Sequence, residues 1–200
     1  MFKKKLMTVM LAIAFIVTYA YGAVTNYEID TAHSNIGFSM PIMGGLSQVR
    51  GKFTDFTVAI VYDDVDVTKS SVNATIKATS IDTGIERRDA HLRTADFFDV
   101  EKFPEITFKS NRVEKKGNQL LAHGTFTMRG VSKEITLPFT INGVSKNAKD
   151  GKTTLGVTAR TTVNRKDYGI NFSRPDNPAF LGDQVELELS LVTRAASAQP

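Results

Sequence analysis

The sequence predicts an all-β fold, an antiparallel barrel or sandwich of about eight strands with one short helix inserted. Three observations predict it. Apolar and polar residues alternate with period two over most of the chain. The alternating runs are short and are separated by polar breaks with turn chemistry. One segment, residues 80–108, abandons the alternation for a charged helical stretch followed by aromatics.

The alternating faces run in order along the chain. Ile36, Phe38 and Met40 share the first, and Phe56, Val58, Ile60 and Tyr62 the second. Val72, Ala74, Ile76 and Ala78 follow, then Ile106 and Phe108. Leu120, Ala122, Gly124, Phe126 and Met128 line up against Leu121, His123, Thr125 and Thr127. Ile135, Leu137, Phe139 and Ile141 make the next face, and Leu155, Val157, Ala159, Thr161 and Val163 the one after. Val185, Leu187, Leu189 and Leu191 close the series against Gln184, Glu186, Glu188 and Ser190. The breaks read YDDVD, KKGN, MRGVS and NAKDG. So long a meander has two exposed edges, which closure into a barrel removes.

The odd segment, SIDTGIERRDAHLRTADFFDVEKFPEITF, begins with Thr83 and Glu86 at capping-box spacing. The spacing predicts a helix over residues 84–98, with Leu92, Ala95 and Phe98 on one side. Pro104 stops it before the next strand. An amphipathic helix between two strands has a natural place across an open end of the barrel, with its charged side toward solvent or a ligand.

The ends of the chain are not part of this pattern. Lys3, Lys4 and Lys5 precede the apolar run LMTVMLAIAFIVTYA, and Ala20 and Gly22 are small residues at the two positions a signal peptidase reads. Residues 1–22 are therefore expected to be a secretory signal peptide cleaved before Ala23. The alternative is an uncleaved anchor, but the run is short of the roughly 20 apolar residues a span needs. No stable membrane span is expected after cleavage. AASAQP at the C-terminus reads as a tail, residues 195–200, leaving a single domain over residues 23–194. Losing three lysines with the leader lowers the formal charge of +4 to about +1, and no basic block remains, which argues against nucleic acid as a partner. With no cysteine, an exported chain has neither disulfides nor thiolate chemistry.

Five segments carry a resemblance: YEIDTAHSNIGFSM, VRGKFTDF, the long central motif quoted above, GTFTMRGVSKEITLPF and ARTTVNRKDYGINF, in that order. Together they resemble the YceI family of exported polyisoprenoid-binding proteins over residues 27–191. The resemblance implies a lipocalin-like, eight-stranded antiparallel barrel whose interior holds a long isoprenoid or other single-chain amphiphile. It also implies a periplasmic location, and a helix between central strands near the barrel mouth. The loop NFSRPDNPAFLGD carries no transferable motif.

The candidate site residues follow from the two readings together. Phe38, Phe56, Ile76, Phe108, Phe126, Phe139 and Val157 sit on apolar strand faces. They are core filler in a solid barrel and cavity wall in a hollow one; the resemblance selects the cavity, and eight strands suffice to hold one small ligand. Arg87, Arg88 and His91, with His33, are the candidates for a ligand's polar end, since guanidinium groups suit anionic head groups. The bland alternative is a solvated helix face, with Asp89 and Arg93 paired at i, i+4. Asp30, His33 and Ser34 resemble part of a catalytic set but lack any local nucleophile signature. The three histidines lack metal-ligand spacing. The expected protein is a non-enzymatic carrier of an isoprenoid, quinone-like or fatty-amide lipid, without cofactor or metal, and the sequence is compatible with a homodimer. The rival readings are a lipid-modifying enzyme using Asp30 or His33, and a filled-core protein acting through its surface in stress protection.

Overall fold

A computed structural model describes residues 24–196. The expected signal peptide and the last four residues lie outside the described residues. The strands are β1 (Val24–Ile29), β2 (Asn35–Ile42), β3 (Ser47–Phe53), β4 (Phe56–Asp63), β5 (Ser71–Lys77), β6 (Ile81–Asp82), β7 (Glu105–Lys116), β8 (Gln119–Met128), β9 (Val131–Lys146), β10 (Thr153–Asn164) and β11 (Gln184–Ala195); α1 spans Glu86–Arg93. All pairings are antiparallel, and β1 pairs with both β4 and β11, so the sheet closes on itself.

Eleven segments make eight wall strands because three of those strands are interrupted. β1 and β2 both pair with β11, at Ile29↔Thr193 and Ile36↔Leu189, and so run end to end. β3 and β4 are collinear in the same way, as are β5 and β6. The interruptions lie side by side: the Thr54 amide donates to Ser80 O, and the Lys77 amide to Asp55 O. The eight alternating runs of the sequence correspond to these eight walls. β11 continues through Ala195, which pairs with Tyr27. The expected tail therefore starts later, because its first residue is needed to close the ring.

Turns follow local chemistry. Arg129 and Gly130, between β8 and β9, have φ of 50° and 74°, the left-handed pair that a type I′ hairpin demands. Gly124 has a packing reason instead. A Cβ there would stand 2.3 Å from Lys109 O and 2.7 Å from Ser110 Cα, beside the bulge between Ser110 and Arg112. Neither neighbour is a side chain that can swing away. Gly124→Ala should cost about 1–3 kcal/mol, read as a lowered urea midpoint with unchanged m-value; an unshifted midpoint would show that the bulge relaxes freely.

The helix departs from expectation. It covers Glu86–Arg93 rather than 84–98, and its N-cap, Ile85, makes no side-chain cap bond. The Thr83 hydroxyl donates to Asp89 Oδ1 at 2.5 Å instead, and the Thr83 amide donates to the same oxygen at 3.0 Å. Asp89 is buried while Glu86 is exposed, and a buried carboxylate must be satisfied where an exposed one has water. The Asp89–Arg93 pair is not made either. Arg93 donates to Thr79 O and Ile81 O, tying the helix to β6. Leu92 and Phe98 pack on the core as expected, but Ala95 is exposed and lies beyond the helix. Among the described residues no helix is long and apolar enough to cross a membrane.

Candidate functional site

Inward-facing side chains of all eight walls surround a cavity of about 170 Å³. It runs from Val67 and Tyr62 at one end to Arg165 and Ile170 at the other. Period-two alternation puts every second residue of a strand into this lumen. Val58, Ile76, Phe108, Phe126, Leu137 and Val157 do so from six different strands. An apolar cavity holds water poorly and apolar atoms well.

Of the seven residues expected at the wall, Ile76, Phe108, Phe126, Phe139 and Val157 line the cavity, and Phe38 and Phe56 do not. Phe38 turns its ring over Gly51, where no side chain blocks it, and packs 5.8 Å from Phe53. Phe53 takes the lumen position. Phe56 is buried beside the Thr54–Asp55 interruption, where it completes the core without reaching the lumen.

None of the four expected polar-end residues lines the cavity. Arg88 donates from Nε to the Thr83 hydroxyl at 2.7 Å and from Nη2 to Thr83 O at 2.8 Å, so it serves the helix's own start. Arg87 is exposed. The His91 ring stacks edge-on against Phe97 and Phe172, each 5.0 Å away, and its Nε2 is 2.8 Å from Asp96. His33 is at neither end of the barrel. It sits in the interruption between β1 and β2, exposed, with Nδ1 2.9 Å from Asp30. That hydrogen bond chiefly, with help from Arg194, holds the Asp30 carboxyl below the usual carboxylate range. Ser34 donates to Val192 O and accepts from the Val192 amide, so its hydroxyl is held by the backbone of β11.

The ionic group at the cavity is one the sequence reading missed. Arg165 is 3% exposed. Its Nε donates to Gly182 O, its Nη1 to Ile170 O and Phe172 O, and its Nη2 to Asp183 Oδ1, at 2.8 to 3.1 Å. It thereby folds the long segment between β10 and β11 across the barrel end. The local signal was the NRKDYG run, in which Asn164 caps a short 3-10 turn by accepting from the Lys166 amide. Arg129 works beside it, donating to Gly169 O and Ala95 O and so joining the β8–β9 turn, this segment and the residues after α1.

Asp183 is the anchor on the solvent side. The hydrogen bond from Lys166, at 2.9 Å, chiefly holds its carboxyl below the usual range, with the charges of Lys166 and Arg165 adding to it. A folded pKa below the unfolded one gives stability that is present above the unfolded value and is lost as pH falls through the folded one. Amide exchange at Ile170, whose N–H donates to Arg165 O, should rise selectively only below about pH 4. In Asp183→Asn it should be raised at neutral pH. Equal exchange in both proteins would remove Asp183 as the anchor.

A profile of the YceI-like domain family matches residues 27–193, nearly all of the described chain. The chain belongs to the YceI-like family. A UPF0312 protein of Staphylococcus aureus strain N315 is 38% identical over 168 residues, covering 83% of this chain and 95% of that one. The crystal structure of a Campylobacter jejuni YCEI protein is 32% identical, with a TM-score of 0.68, covering 76% of this chain and 88% of that one. A polyisoprenoid binding domain from Saccharophagus degradans, implicated in plant cell wall breakdown, is 14% identical with a TM-score of 0.64, over 87% of this chain and all of that one. At that identity the likeness is one of fold. In this YceI-like chain the barrel is therefore the fold it shares with those structures.

Proposed function

We propose that this protein binds one long-chain isoprenoid, or a similar single-chain amphiphile such as a quinone-like lipid or fatty amide, inside the barrel, and carries or sequesters it in the periplasm without chemical change. The observation that carries this reading is a cavity that runs the length of the barrel and is lined mostly by apolar side chains from all eight walls. The likeness to a domain described as polyisoprenoid binding supports it. Burying about ten methylenes at ~0.8 kcal/mol each yields about 8 kcal/mol, near micromolar affinity before ordering costs. Binding of this kind needs a shaped apolar wall and no reacting group.

The test is native mass spectrometry of protein purified from its own host. A mass increment equal to one lipid of this class, removed by organic extraction and restored by adding it back, is the expected result. A protein free of lipid that also takes up no added isoprenoid would sink the reading and leave the surface-acting alternative. The periplasmic part is tested separately, by N-terminal sequencing of the abundant species. It should begin at or near Ala23; a membrane-bound species that keeps Met1 would overturn it.

A further inference from the structure

We propose that the ligand passes in and out through the side of the barrel, by a slit between β9 and β10, rather than through either end. This rests on the lipid-binding reading above and concerns its route. One seam of the wall loses its ladder while both of its strands run on. β9 and β10 pair from Thr153↔Lys146 to Ala159↔Phe139, and there the ladder stops. Both strands continue. β9 stays paired to β8 as far as Val131, and β10 to β11 as far as Asn164. Extending the register, residues 134–138 of one strand run beside residues 160–164 of the other beyond the last ladder pair. Pro138, the first residue past the last pair, has no N–H to donate.

What holds the slit is weak. The Thr161 hydroxyl reaches Thr136 O at 3.5 Å, a side chain bridging where the backbone does not. At the outer corner Lys133 lies 3.5 Å from Asp167, both groups about half exposed, and such pairs are worth little. The cavity reaches this seam: Ile135, Leu137, Thr161 and Val163 all line it. Of these, Ile135, Leu137 and Thr161 are half-buried and Val163 is buried.

The two ends, by contrast, are covered. At the helix end Phe97 and Phe172 stack at 4.9 Å with His91 against both, and Tyr168 packs edge-on to Phe126 at 5.4 Å. Arg129 and Arg165 bind those segments together. At the other end the turn at Val67–Lys69 folds over β7, held by Asp63, which accepts from the Val65 and Asp66 amides. Opening the helix end breaks ring stacks and guanidinium hydrogen bonds, and opening the other breaks the Asp63 turn; across the slit, the side-chain bonds among the described residues are one long hydrogen bond and one exposed ion pair.

The chain has no cysteine, so a single engineered disulfide is unambiguous. Extending the register places Thr162 opposite Thr136, both exposed. Thr136→Cys with Thr162→Cys staples the slit when oxidised and frees it when reduced. The control, Thr127→Cys with Ser132→Cys, staples an intact seam where the two hydroxyls already touch at 2.7 Å. The measurement is stopped-flow release of cis-parinaric acid, a fluorescent polyene chain. The oxidised slit staple should release it at least about tenfold more slowly than the reduced form, a barrier change of about 1.4 kcal/mol, and the control should not change. Equal rates in the two redox states would overturn the portal. Should the staple fail to form, Lys133→Ala with Thr161→Val decides: release faster by about two- to fivefold supports the portal, since each lost contact is of the exposed kind, and an unchanged rate overturns it. Failure of wild-type protein to bind the probe or any prenol would instead sink the lipid-binding reading, and the portal with it.

Discussion

Protein carrying Ile76→Trp should fold like the wild type and come off the column nearly free of lipid. Ile76 sits in the middle of the wall, paired to Phe56 on β4 and Ile106 on β7, and faces the lumen. The lumen has room beside it, so the indole extends into the cavity rather than into packed neighbours, and the penalty for overpacking stays at the low end. The ligand loses that stretch of wall. Excluding about three methylenes forfeits about 2.4 kcal/mol, about 50-fold in affinity. Lipid retention by native mass spectrometry and a thermal melt together give the result. A folded variant that keeps its lipid would show that this face does not form the site.

Arg165→Met should be the most destabilising single change at the helix end. Methionine keeps an apolar stem, but it leaves the carbonyls of Ile170, Phe172 and Gly182 without their donor. Each buried acceptor left unpaired costs about 1–3 kcal/mol. Asp183 is partly exposed and can turn to water, so most of the loss comes from the carbonyls. The expected total is about 3–5 kcal/mol, read by denaturant unfolding, with residues 165–183 cleaved early by protease. A loss under about 1 kcal/mol would mean that the segment rehydrates in place and that Arg165 is not its keystone.

Much of the wall was legible in sequence. Half-buried strands need alternation, and Leu155, Val157, Ala159, Thr161 and Val163 could satisfy it in no other way; all five line the lumen. The aromatic positions were less legible, since alternation says which face a residue is on and nothing about the room there. Phe38 faces the right way and is still turned aside, because Gly51 across the pair offers its ring a flat seat. The helix start was misread for a related reason. Thr83 and Glu86 have the spacing of a capping box, but the cap is decided by which carboxylate is buried, and Asp89 is the one that burial obliges to bond.

By itself, then, the sequence determined the strand faces, the insertion of a helix and the apolar character of the inward faces, because each of these is a local consequence of period, turn residues and side-chain type. The tertiary structure alone decided the rest: that β1 meets β11 and closes the ring, that Arg165 rather than Arg87 or Arg88 reaches the cavity, and that the seam between β9 and β10 stays half unpaired. Each of these depends on partners far apart in the chain. A strand's pattern states what it buries and not which neighbour will satisfy its backbone, and a guanidinium goes to whichever carbonyls the fold gathers around it.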